Sequence, residues 1–161
     1  MCFYVVKGVG VTDTSQGFNQ FKMFSTEEEA KKYFREMSNK CVSIYTYSSE
    51  SKSNVVIVID EFKNIIDKMQ ADLGKKCLLE KELTSIVTAI KRCIERKVKE
   101  VNIYIDHLAI QKIVEKKLYI NNNMSQLSDF LISKKDVIKM NFIWKNSITA
   151  SQYYLLMVEL M

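Results

Sequence analysis

The sequence predicts an α/β fold, a mixed sheet flanked by helices and preceded by a small strand-strand-helix module. Three observations carry this. From residue 41 onward, β-branched and aromatic runs alternate with segments of helical periodicity in the order strand, strand, strand, helix, strand, helix, helix, strand, helix. One run, Val55-Val56-Ile57-Val58-Ile59, is apolar at every position, as in a strand buried on both faces. A chain of 161 residues, 47% hydrophobic and 27% charged, has the composition of a packed domain rather than of a disordered polymer.

Each element has a local reason. Phe3-Tyr4-Val5-Val6 is a short strand ended by Gly8 and Gly10, and Phe18 to Phe24 follows a Thr/Asp/Ser/Gly loop as a second strand. Ser25-Thr26-Glu27-Glu28-Glu29 supplies a capping hydroxyl and first-turn acids for a helix carrying Ala30, Tyr33, Phe34 and Met37 at helical spacing. Val42 to Tyr47 is a strand stopped by a serine-rich turn. Val55 to Phe62 follows, and Lys63-Asn64 turns the chain so that Ile65 to Ala71 returns antiparallel. From Leu79 to about Arg96, Leu79, Leu83, Ile86, Val87, Ile90 and Ile94 share one helical face. Val101 to Ile105 alternates as a strand ending at Asp106, Leu108 to Lys116 is helical, and Asn121-Asn122-Asn123 is loop. Ser125 caps a helix through Ile132, Met140 to Trp144 is a last strand, and Thr149 to Leu160 closes the chain as an amphipathic helix.

Composition excludes several classes. The apolar runs are of strand length, well short of the about 18 residues that span a bilayer, and Met1 to Lys7 has no features of a secretory leader. Cys2, Cys41, Cys77 and Cys93 are scattered without a C-x-x-C pair, and His107 is the one histidine, so a zinc site is not expected and a reduced, cytoplasmic setting is. The formal charge of +5 favours contact with a polyanion.

Two carboxylates stand out. Glu82 lies early in the long helix and Asp106 ends the next strand, so the two can approach at one edge of the sheet. Glu82-Leu83-Thr84-Ser85-Ile86-Val87-Thr88-Ala89-Ile90 followed by Val101-Asn102-Ile103-Tyr104-Ile105-Asp106 resembles the ribonuclease H family. The resemblance implies a five-stranded mixed sheet and a site in which four acids hold two Mg²⁺ ions for phosphodiester hydrolysis. It places Glu82 and Asp106 as the helical and fourth-strand acids. Tyr47 stands where the first acid would be, Tyr153 falls in the segment of the fourth, and Lys145-Asn146-Ser147 replaces a loop histidine. Asp60 is a poor substitute, because only 22 residues would separate it from Glu82.

The first 40 residues have their own resemblance, to the hybrid-binding module of ribonucleases H also known from caulimovirus viroplasmin. Phe3 to Gly8 and Phe21 to Ala30 match its beginning and end, while the helix and tryptophan between them are missing. The resemblance therefore implies a degenerate module over residues 1–40 and a ribonuclease H-like domain over 41–161. Lys91, Arg92, Arg96 and Lys99 form a basic helix face that reads either as a solvated surface or as a nucleic-acid contact. Glu82 and Asp106 read as structural remnants or as a residual metal site, His107 as a packing residue or a base, and Trp144 and Tyr153 as core rather than stacking platforms.

The function implied is that of a catalytically inactive ribonuclease H-like protein without cofactor. It would be a binding or assembly subunit in a nucleic-acid-processing complex, such as one of viral replication or transcription, with RNA–DNA hybrid or duplex as partner. One alternative is an active Mg²⁺-dependent nuclease using Glu82 and Asp106 on RNA in hybrids. The other is a protein-interaction module. The apolar surplus of the C-terminal helix, Ile148 to Met161, reads either as a surface for a protein partner, most simply a second copy of the chain, or as a helix buried between the sheet and the N-terminal module.

Overall fold

The computed structural model describes residues 2–6, 10–13, 21–48, 54–61, 65–116, 118 and 121–144. The N-terminal module is a three-stranded antiparallel sheet of β1 (Phe3–Val6), β2 (Gly10–Thr12) and β3 (Phe21–Phe24), in the order β2-β1-β3, with α1 (Glu27–Ser38) against it. The strand β2 is one that the sequence reading did not include. Gly10, taken as a breaker, opens it with a φ of 100°, a left-handed conformation that glycine adopts without strain. Thr26 caps α1 by accepting from the Glu29 N–H at 3.2 Å, as its position before three glutamates suggests.

The main sheet contains β4 (Cys41–Tyr47), β5 (Asn54–Ile59), β6 (Ile65–Ala71), β7 (Glu100–Ile105) and β8 (Lys139–Trp144) in the order β6-β5-β4-β7-β8. The pairs β4·β5 and β5·β6 are antiparallel, whereas β4·β7 and β7·β8 are parallel. The parallel pairs require crossovers, supplied by α2 (Leu78–Glu95) and by α3 (Ala109–Val114) with α4 (Asn122–Ser133). Every residue of β5 is buried, as its unbroken apolar run predicts.

One core joins Val42, Ile44, Val56 and Val58 to Leu83, Ile86, Ala89 and Ile90 of α2 and to Val101, Ile103 and Ile105 of β7, with Ile110, Ile113, Met124 and Leu131 from the later helices. On alternate strand positions, and so on the other face, lies a smaller cluster of Tyr45, Val55, Ile57 and Ile59 packed with Tyr47 and Tyr104. Two further expectations change. Asn121 caps α4 by accepting from the Met124 N–H at 2.9 Å, so Asn122 and Asn123 are helical rather than loop. Trp144 is 53% exposed, because it ends β8 at the edge of the sheet. The expected turn at 63–64 and the C-terminal helix lie outside the described residues, as do Tyr153 and the segment 145–147.

Candidate functional site

The site is built where α2 crosses the C-terminal ends of β4 and β7. The chain enters α2 through a tight turn in which Gly74 holds a φ of 69° and donates its N–H to Asp72 Oδ1 at 2.9 Å. Leu83, Ile86, Ala89, Ile90 and Cys93 then set the buried face of the helix, and Glu82, four residues before Ile86, falls on that same face. Its carboxyl group is fully buried, while β7 ends at Ile105 and delivers Asp106 and His107 to the turn before α3.

Both oxygens of Glu82 are engaged by this turn. Oε1 accepts from the Asp106 backbone N–H at 2.6 Å, and Oε2 lies 2.6 Å from His107 Nδ1. With Glu82 ionised, Nδ1 carries the proton and donates it. Burial pushes the Glu82 carboxyl above its ordinary range and the Asp106 charge adds to this, against the opposing pull of the His107 and Asp106 hydrogen bonds. The sequence thus brought the right residues together but not in the way first read. Glu82 meets the backbone of Asp106 rather than facing its carboxylate across an open site, and the meeting lies at the ends of central strands rather than at a sheet edge.

The divalent ions implied by the resemblance do not fit this donor set. A hard cation needs several oxygen ligands, and here the Glu82 carboxyl is turned toward two donors of the β7–α3 turn. The parallel register pairs Tyr45 with Tyr104, and Tyr47, two residues further on, packs against the cluster of Tyr45, Val55, Ile57 and Ile59, an uncharged side chain where the resemblance expects an acid. Asp60 follows the other end of β5, since Ile59 pairs with Ser43 while Val55 pairs with Tyr47. Among the described residues no group of three His, Cys, Asp or Glu side chains is placed to hold a metal ion.

The basic face predicted on α2 is partly engaged. Arg92 Nη1 pairs with Asp67 Oδ1 at 2.8 Å and Arg96 Nη2 lies 3.7 Å from Asp67 Oδ2, tying the helix end to β6. Lys91 sits over the Phe130 ring with its ammonium 5.1 Å from the centroid, and Lys99 is exposed. Sequence reasoning missed a second basic feature, a cleft of about 460 Å³ lined by Gly74, Lys75, Lys76, Cys77, Leu78 and Lys81 at the start of α2. Lys81 is only 2% exposed although it lines the cleft. No side chain caps the helix there, so its first N–H groups add partial positive charge to that of the lysines. The signal was available in Gly74-Lys75-Lys76 directly before the helix.

No family model matches the sequence, and no curated protein matches it. The architecture does match solved structures. Ribonuclease H1 from the halophilic archaeon Halobacterium salinarum NRC-1 superposes with a TM-score of 0.58 at 9% identity, over 69% of this chain and 89% of that one. LC11-RNase H1 in complex with an RNA/DNA hybrid gives 0.54 at 11% identity, over 70% and 88%. A foamy viral protease-reverse transcriptase in complex with dsDNA gives 0.53 at 16% identity, over 78% and 92%. These likenesses establish a ribonuclease H-like fold, with the strand order and the mixed pairing described above.

Proposed function

We propose that this chain is a catalytically silent ribonuclease H-like protein that binds nucleic acid within a larger processing complex. The observation that carries the reading is the engagement of both Glu82 oxygens by Asp106 N–H and His107, with no cluster of three acidic, histidine or cysteine side chains placed for a metal among the described residues. The basic cleft beside this position and the net charge of +5 support contact with phosphates. Neighbours of the same fold bound to a hybrid and to dsDNA make a nucleic-acid partner the natural class to test. Lys75 and Lys76 are the primary contacts in this reading, and Lys91, Arg92, Arg96 and Lys99 the secondary ones.

The test has two arms. A labelled RNA–DNA hybrid incubated with Mg²⁺ or Mn²⁺ should stay intact, and cleavage abolished by Asp106→Asn would overturn silence. In anisotropy titrations, Lys75→Gln with Lys76→Gln should weaken binding to hybrid and duplex and flatten its salt dependence, each lost phosphate contact removing a slope of about 0.9. Neutralising Arg92 and Arg96 should do less, because Asp67 already pairs with them. A second reading, a protein partner, is favoured by the exposure of Leu108, Ile143 and Trp144 near the same end of the sheet. It becomes the better one if the protein binds no nucleic acid at low salt.

A further inference from the structure

The departure from a metal centre has a definite form. We infer that the Glu82–His107 pair stands in place of the metal: the imidazole Nδ1 and the Asp106 N–H hold the two oxygens of the buried carboxyl group and latch α2 to the β7–α3 turn without a divalent ion. The inference extends the silent-site half of the function proposed above, and it stands whether or not nucleic acid binds.

A fully buried carboxylate on the sheet-facing side of a helix requires compensation, from a cation or from hydrogen-bond donors. Here the compensation is internal. One oxygen receives the Asp106 N–H and the other the His107 ring, each at 2.6 Å. The two donors come from consecutive residues, so Glu82 grips the turn in two-point fashion, fixing the end of β7 relative to α2. An incoming cation would meet a donor already in place at each oxygen, one of them an N–H aimed at Oε1. Among the described residues, the further carboxylate whose charge acts on Glu82 is the exposed Asp106, too little for an ion of octahedral demand. The geometry therefore favours the latch over a metal at the same carboxylate.

His107 is the only histidine in the chain, so its ring nitrogens can be read without ambiguity by NMR. The expected result is a strongly downfield Nδ1–H resonance in the full-length protein, lost in Glu82→Gln, with His107 signals that millimolar Mn²⁺ does not broaden in a saturable way. Thermal unfolding adds a second readout. The wild-type midpoint should be the same in EDTA and in Mn²⁺, and His107→Ala should lower it by about 5 °C, Mn²⁺ failing to restore it. Saturable broadening of His107, a wild-type midpoint raised by Mn²⁺, or an unchanged Nδ1–H resonance in Glu82→Gln would overturn the inference. Neither readout involves nucleic acid, so loss of hybrid binding and loss of the latch are separately visible.

Discussion

A thiolate needs water or a nearby cation, and Cys93 lies on the buried face of α2 with little of either. Burial pushes its thiol up to about 12; the Asp67 charge adds to this, while Arg96 pulls the other way. At pH 8 such a group is about one part in ten thousand thiolate, before the barrier of access is counted. Cys2 and Cys77 are exposed, and Cys41 is intermediate with its thiol raised by burial and by Glu100. Iodoacetamide at pH 8 should therefore modify Cys2 and Cys77 first and Cys41 slowly, with Cys93 protected until denaturant is added. Peptide mass spectrometry reads this directly, and native-state labelling of Cys93 at the rate of Cys77 would mean that α2 opens from the sheet. Glu82 illustrates the same principle with a different outcome: a buried carboxyl is tolerated because donors meet both of its oxygens.

The elements show why pattern reading located most of the fold and misplaced some of its details. Helix α2 was legible because its apolar spacing persists over five turns, and β5 because no polar residue interrupts it. The start of α4 was not, because Asn121-Asn122-Asn123 reads as loop by composition while Asn121 is a strong cap. Two substitutions separate the readings. Asn121→Ala should cost about 1 kcal/mol by removing the acceptor for the Met124 N–H, whereas Ser125→Ala should stay within about 0.5 kcal/mol. Urea unfolding with an unchanged m value checks both, and the reverse ranking would restore Ser125 as the cap. Strand β2 was missed because three residues opened by a glycine carry no alternation to detect, and Trp144 was placed in the core because sequence does not say which strand forms the edge. At the site, spacing identified Glu82 and Asp106, but the hydrogen bond from an Asp106 backbone N–H leaves no trace in residue types.

Across the whole molecule, stability is unevenly divided between the module and the main sheet. Among the described residues, the buried apolar side chains of the first 38 positions are Val5 and Ala30, whereas the main core runs through β4, β5, β7 and all three later helices. The module adds a Phe24–Tyr33 ring contact at 5.2 Å and the Lys22 ammonium over Tyr33 at 4.4 Å, interactions worth about 1 kcal/mol each at partly exposed sites. Such a sum does not offset the ordering entropy of nearly 40 residues. The link to the main domain is tighter than a boundary at residue 40 implies: Lys99 N–H donates to the Asn39 carbonyl and Glu100 N–H to that of Lys40, so these two residues belong with the sheet. A fragment of residues 39–161 should therefore unfold cooperatively with a midpoint within about 5 °C of the full chain, a shift of one or two kcal/mol at this size. Residues 1–38 alone should show no cooperative transition by circular dichroism. If the longer fragment fails to fold while the full chain does, the module supplies part of the main core, and its role is structural rather than that of an appended binding unit.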